Sequence, residues 1–462
     1  MKKLNIKQYK INHIFEKIKK CKGTIKINSK EINKGDIFIS LKGSKDHGEK
    51  YINDAIEKGA KLIITEKSIS NNKKNIIQVE NCLKFLDLMA IEMRSKYKGI
   101  IIAITGSVGK TSSKEQLKFF LNKKNNTYAS IKSYNNKLGV SLSLANIDLK
   151  SKYAIFEIGT NNFGEIKLLT KLVNPNIAIV TNISPTHLEN FKNVGNILKE
   201  KSEIFNSKNN THLKFIIVPY ENNLLLKKAK LNKKCKIISF GKINKSDIHL
   251  KKIKQINYKN FEVLLDIKRK RLKYIISASG EHQIMNNMIS FAVFHALKLN
   301  ISIIKQYAQY LPKLSGRGKI YKLKIGNKKI KLIDECYNAS PLSMEATINY
   351  FKNYNQSISS NKILILGDML ELGKKTKFFH SQIYQNLINN NFYQIIVIGK
   401  HIKYLYENYK KNYENMYYFK DMVKLNKHIL KYINNDDILL AKASNSSLLN
   451  KYITKIKKYK LI

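Results

Sequence analysis

The sequence predicts an α/β protein of three domains, with a phosphate-binding loop at the head of a central parallel sheet. Three observations carry this expectation. The chain has 462 residues, enough for two to four separate cores. From about residue 98 onward, short apolar runs alternate with segments of helical periodicity, the pattern of parallel strands joined by crossover helices. One of those runs, Ile101-Ile102-Ala103-Ile104, opens directly into Thr105-Gly106-Ser107-Val108-Gly109-Lys110-Thr111 and then into a helix over 112–121.

The first unit, 1–97, is expected to hold strands at 37–41 and 62–65 and a helix over 51–58 that Gly59 closes. Apolar residues at 82, 86, 89, 90 and 93 form a helical stripe that leads into the next unit. The segments 28–30 and 41–48 are polar loops at strand ends, positions from which loops bind ligands.

The central unit, 98–312, carries the glycine-rich turn. Successive backbone N–H groups and a helix N-terminus cradle oxyanions, so a phosphate would rest on Gly106, Ser107, Val108, Gly109 and Ser112. Lys110 would place a point charge on the outer phosphates, and the Thr111 hydroxyl would face a magnesium ion. The general eight-residue pattern wants glycine at 104, where isoleucine stands, so the turn is a shorter variant. Further strands are expected at 153–158, 177–181, 215–218 and 237–240. Glu157 and His187 stand at the carboxyl ends of two of them, where open α/β sheets bind ligands. From spacing alone they read equally as metal ligands or as solvated loop residues.

A helix over 194–205 places Lys201 on its apolar face and Lys199 opposite. An inward ammonium costs several kcal/mol unless it is paired, altered or snorkelling to solvent. A helix over 281–298 is expected to bury Ile284, Met288, Phe291, Ala292 and His295, the last as a core histidine. His282 and Asn286 lie on another face, towards solvent or a ligand. The last unit, 313–462, predicts strands at 331–333, 362–366, 394–398 and 437–441, a Rossmann-like sheet in which Asp368 follows a strand end and can reach a ligand.

The net charge of +52 does not mark a nucleic-acid reader. Lysine is spread through every segment, asparagine and isoleucine are also abundant and arginine is scarce, the signature of A/T-rich codons, whereas base readers favour arginine in local patches. No specific nucleic-acid partner is expected. No apolar run approaches the length of a membrane span, no signal peptide is evident, and four scattered cysteines read as reduced thiols. A cytoplasmic protein, acting as a monomer and without membrane insertion, is expected.

Taken together, the motifs resemble those of the Mur ligases over nearly the whole chain. Residues 105–111 are similar to that family's form of the phosphate loop, and Tyr134-Asn135-Asn136-Lys137-Leu138-Gly139-Val140 to its Asn-Asn-x-x-Gly-Val segment. Glu157-Ile158-Gly159 and Thr181-Asn182-Ile183 with His187 resemble its metal-binding segments, and Lys201 falls at the place of a carbamylated lysine. Gly280-Glu281-His282 with Asn286 resembles the adenine-side motif, with Gln283 where the family usually has asparagine. Asp334-Glu335-Cys336-Tyr337-Asn338-Ala339-Ser340-Pro341 and Leu366-Gly367-Asp368-Met369-Leu370-Glu371-Leu372-Gly373 resemble segments of the members that add a dipeptide.

The resemblance implies an ATP- and Mg²⁺-dependent amide ligase joining D-alanyl-D-alanine to UDP-N-acetylmuramoyl-tripeptide through an acyl phosphate. It implies a UDP-binding first domain, a central ATPase domain and a closing third domain. His282, Asn286, Arg317 and Asp334 would contact the nucleotide. Thr111, Glu157, His187 and carbamylated Lys201 would hold metal, and Lys110, His187 and Lys201 would serve catalysis. Ser29, Lys42, Asn135, Asn136, Tyr337 and Asn338 would meet the other substrates. An amide ligase for another amino acid or a folate, and a basic ATPase acting on nucleic acid, are the alternatives.

Overall fold

The computed structural model describes residues 14–459 apart from 19, 44–45, 68–74, 207, 258 and 355–359. Among the described residues the strands form three sheets, one in each expected unit. The first sheet is parallel and has four strands, Ile25–Lys26, Ile37–Ile39, Leu62–Thr65 and Ile76–Gln78, in chain order. The helix Cys82–Lys96 leads from it, burying Cys82, Phe85, Leu86, Met89 and Ala90.

The central sheet has nine strands. Six helix-linked strands and Ile248–Gln255 are parallel, in the order Ile248–Gln255, Lys236–Gly241, Phe215–Pro219, Ile177–Val180, Ile100–Thr105, Tyr153–Glu157, Thr127–Ala129. Ile100–Thr105 lies between two other buried strands, and helices cover both faces. Ile102 and Ile104 pack with Leu117, Phe120 and Phe291, while Ile101 and Ala103 pack with Phe156 and Val180 on the other side. A strand covered on both faces has no polar face to alternate with, which is why this run is apolar throughout. Its carboxyl end, with those of its two neighbours, brings Gly106, Glu157 and Thr181 to one edge.

Two strands depart from the expected parallel pattern. Asn260–Ile267 and Lys270–Ser277 continue the sheet antiparallel beyond Ile248–Gln255. Ile248, Leu250, Val263, Leu265 and Ile276 face the helix Glu281–Ala296, while Lys251, Lys252, Lys254 and Lys273 face solvent. Lysine on the outer face hid the period of two. His295 is a correction: it is half exposed in the last turn of Glu281–Ala296, not in the core, because the buried face there is completed by Phe291 and Phe294.

The third sheet has six strands, in the order Lys319–Ile325, Lys328–Glu335, Ile438–Lys442, Lys362–Gly367, Gln394–Ile398, Met416–Phe419. Only the first pair is antiparallel. Asp368, just past one strand end, is held by the chain itself. Its buried carboxylate accepts the backbone N–H groups of Lys400, His401 and Ile402 and so fixes a neighbouring turn.

Candidate active site

The phosphate loop is shaped by close backbone contact. Gly106 and Gly109 have φ of 143° and 89°, which L side chains rarely adopt. A Cβ on Gly106 would lie 1.9 Å from Thr181 Oγ1, and one on Gly109 would lie 2.3 Å from Asn286 Oδ1. The segment after the neighbouring strand clamps the loop. Thr181 Oγ1 donates to Val108 O at 2.5 Å, Val108 N to Asn182 Oδ1 at 3.0 Å, and Ser107 Oγ to Ser184 O at 2.9 Å. Gly106→Ala should therefore cost about 1–3 kcal/mol of stability and open the loop. A chemical melt alongside an ATP titration checks this, and unchanged affinity would count against the clamp.

Lys110 Nζ folds back on the loop, donating to Gly106 O at 2.8 Å. Burial lowers its pKa, Glu157 opposes that shift, and Arg317 adds to it. Thr111 Oγ1 is the centre of the polar network. It donates to Glu157 Oε2 at 2.7 Å, accepts from Arg317 Nη2 at 3.0 Å, and lies 3.0 Å from Ser133 Oγ. Asn135 Nδ2 holds the other oxygen of Glu157 at 2.7 Å. The chain 135–157–111–317 thus runs from the second unit into the third without a gap.

A cleft of about 1410 Å³ opens over this network, between the central and third units. Ser107 to Ser112, Glu157, His187, His282 and Asn286 line one side, and Arg317, Tyr337, Asn338 and Glu371 the other. The Arg317 guanidinium stacks on the Tyr337 ring, 4.2 Å from its centroid. His282 Nδ1 is buried without a partner, and burial, with Lys442 and Lys313 nearby, lowers its pKa to about 4. It is a neutral imidazole whose Nδ1 lies against Gly280, on a residue that lines the cleft.

His187 sits in left-handed backbone, φ 50°, with Nδ1 2.6 Å from Glu371 Oε2. This contact, with hydrogen bonding to His187 first among the causes, holds the Glu371 carboxyl below its usual range. Glu371 lies in the expected run 366–373, but its approach to His187 needs two domains in contact, which local patterning does not carry. The same loop is tied down behind. His380 Nε2 accepts from Met369 N at 3.0 Å while Nδ1 lies 2.7 Å from Thr376 O, so the ring is neutral. Burial lowers its pKa from 6.5. The unfolded chain therefore binds a proton that the folded chain refuses, and this stability, full above pH 6.5, is lost as pH falls below it. The drop in melting temperature from pH 7.5 to pH 5.5 should be smaller in His380→Gln.

Lys201 is 2% exposed at the end of the helix Val194–Lys201, as its place on the apolar face requires. Burial first, then the Lys110 ammonium, push its pKa well below the ordinary value. The adjacent Glu200 carboxylate is spent elsewhere, accepting Gly164 N and Ile166 N at 2.8 Å each. Lys201 is not among the residues that line the cleft.

Several expected site residues do other work. Asp334 is fully buried and does not line the cleft; it accepts from Gly316 N at 3.1 Å and from Lys457 Nζ at 2.8 Å, fixing the turn that presents Arg317. Asn136 caps the helix Lys137–Ala145 by accepting from Gly139 N. Ser29 is buried in a short 3₁₀ helix and Lys42 is exposed, and the cleft includes neither. Glu335 reaches a buried Lys442 at 3.6 Å, and Lys442 Nζ donates to Asn338 O.

No group of three or more His, Cys, Asp or Glu side chains is gathered for a metal among the described residues. The pair Thr111 and Glu157, oxygen donors in contact beside the phosphate loop, suits a hard cation that keeps most of its waters.

Comparison with known proteins accounts for this arrangement. The Mur ligase middle domain matches residues 104–294, the glutamate ligase domain of Mur ligases residues 316–445, and the Mur ligase family catalytic domain residues 23–94. The UDP-N-acetylmuramoyl-tripeptide–D-alanyl-D-alanine ligase of Rickettsia prowazekii is 35% identical over 93% of this chain and 94% of its own. The chain belongs to the Mur ligase family. The ligase of the same name from Buchnera aphidicola (subsp. Baizongia pistaciae) is 31% identical over 94% of this chain and 93% of its own. MurF from Acinetobacter baumannii and a Thermotoga maritima MurF ligase in complex with ADP share the fold, each with a TM-score of 0.77 at 23% identity. They cover 94% and 95% of this chain and 93% and 97% of their own. Each of the three family segments of this Mur ligase contains most of one sheet.

Proposed function

We propose that this Mur ligase joins D-alanyl-D-alanine to UDP-N-acetylmuramoyl-tripeptide in peptidoglycan precursor synthesis, consuming ATP and releasing ADP and phosphate. The observation that carries the reading is full-length similarity to ligases of that name, at 35% identity for the Rickettsia protein. The cleft supports it, because the phosphate loop and Arg317, on opposite walls, put two cations where a polyphosphate would lie.

In this reading the γ-phosphoryl group passes to the tripeptide's terminal carboxylate, the dipeptide amine attacks the acyl phosphate, and phosphate leaves. Most of the catalytic burden is charge neutralisation and positioning. Lys110 and Arg317 offset the charge on the transferring group, and the loop N–H groups fix the leaving diphosphate. His282 and Asn286 meet the nucleotide from the helix Glu281–Ala296. Tyr337 orients Arg317 through ring stacking, and Asn135 and Asn338 face the acceptor substrates. Thr111 would hold one Mg²⁺, and Glu157, His187 and carbamylated Lys201 would serve a second. Bound there, magnesium would screen phosphate charge. Lys201 would serve as a carbamate: its neutral amine adds to carbon dioxide, one N–H proton leaves to water, and the product is an anionic oxygen donor. The units 1–97, 98–312 and 313–462 would bind the uridine nucleotide, hold ATP and close over the site. Among the described residues no helix is long and apolar enough to cross a membrane. A cytoplasmic monomer fits this reading.

The test is ADP release from UDP-muramoyl-tripeptide and ATP. Addition of D-alanyl-D-alanine should stimulate it strongly, and addition of single amino acids should not. Stimulation by DNA or RNA in place of muropeptide would overturn the assignment.

A further inference from the structure

Gln283, through its buried side chain and its backbone carbonyl, joins three segments that meet between the central and third units. Its Oε1 accepts from Ser279 N at 3.1 Å, and its Nε2 donates to Ser279 Oγ at 2.5 Å and to the Arg317 carbonyl at 3.4 Å. Its backbone carbonyl accepts from Gln116 Nε2 at 3.4 Å, on the helix that follows the phosphate loop. The hinge presses against the same turn, since a Cβ on Gly318 would lie 2.6 Å from Ser279 Oγ. The residue whose carbonyl Gln283 holds is the one whose guanidinium crosses the cleft to Thr111 Oγ1 at 3.0 Å.

We propose that Gln283 is a positioning residue for phosphoryl transfer: it fixes the Arg317 backbone to the Ser279 turn and so sets where the guanidinium stands over the phosphate loop. This rests on the ligase reading above. The amide lies against the turn and the hinge and is already fully engaged there, so it is not a free contact for a base. Its length matters. An asparagine is shorter by one carbon–carbon bond, about 1.5 Å, and from the same backbone reaches Ser279 or the Arg317 carbonyl but not both. Loss of the hinge bond leaves the guanidinium charge in place and its position loose. Misplacement of about 1 Å in a charge-stabilising group costs up to roughly 10²-fold in rate, and one bond of three being lost makes about tenfold the expected effect.

The experiment compares wild type, Gln283→Asn, Arg317→Lys and the double variant in the full chain. The measurements are kcat and KM for ATP, with UDP-muramoyl-tripeptide and D-alanyl-D-alanine as co-substrates, and melting temperatures without substrates. Gln283→Asn should lower kcat about tenfold with little change in KM for ATP. The double variant should be no slower than Arg317→Lys alone, because Gln283 acts through Arg317. Multiplicative losses, or a raised KM with unchanged kcat, would overturn the proposal. Should the wild type itself release no ADP, the ligase reading is what falls. The melting cycle then decides for Gln283: non-additive shifts keep the coupling to Arg317, and additive shifts discard it.

Discussion

Lys201→Met should abolish most ligase turnover, by about 10²-fold or more, while leaving the protein as stable as wild type or more so. The two effects point in opposite directions for a physical reason. Lys201 is 2% exposed, its carboxylate neighbour is spent on Gly164 and Ile166, and the Lys110 ammonium stands close enough to disfavour its charge. A buried, unpaired ammonium is a cost, and an apolar side chain of similar volume removes that cost. If the lysine were only structural, the substitution would be silent in turnover and favourable in stability. As a carbamate it supplies negative charge where the fold offers none, and methionine cannot. Turnover and thermal melting of the same variant, with intact-mass measurement of the wild type for an added carbon dioxide, separate these cases. Full activity in Lys201→Met would sink the carbamate role.

The parts of this molecule that were legible in the sequence are those set by local geometry. The run 101–104 announces a strand buried on both faces, and the turn after it announces its own backbone through Gly106 and Gly109. Lys201 was readable as inward because helical periodicity places it between Leu198 and Ile204. The outer strands were not readable, because lysines on one face of Ile248–Gln255 and Lys270–Ser277 look like loop composition until the helix Glu281–Ala296 supplies the other face. Chain position alone did not reveal which candidate side chains the fold itself engages. Asp334, near the end of the strand Lys328–Glu335, and Asp368, just past Lys362–Gly367, carry the right chemistry, and each accepts backbone N–H groups of the chain itself. Asn136 sits beside Asn135 in one motif, and only the second of the pair caps a helix. Glu371 and Gln283 gain their roles only from packing between units distant in sequence, which no local spacing encodes.

Arg317→Ala should lower kcat by about 10²–10³-fold and should also loosen the third unit from the second. The guanidinium makes two contacts in the cleft, a hydrogen bond to Thr111 Oγ1 and a stack on Tyr337. Neither contact is a direct ion pair with a carboxylate, although the buried Glu335 carboxylate feels the guanidinium charge, so its N–H donors are not locked in a salt bridge and can turn to a phosphate. Lysine at 317 would keep a charge but lose the planar surface for Tyr337 and the fork that spans hydroxyl and phosphate, so it should recover only part of the rate. Tyr337→Leu separates the two functions. It removes the stack and leaves the charge, so its kcat should fall less than that of Arg317→Ala, and its KM for ATP should rise less. Domain closure can be followed in the same variants by small-angle scattering with and without ATP. The third unit of Arg317→Ala should respond less to nucleotide than that of wild type, because the cation that would bridge the phosphate loop and the hinge is gone. Wild-type closure with lost turnover would instead confine Arg317 to the chemical step, and normal kcat would remove it from the site altogether.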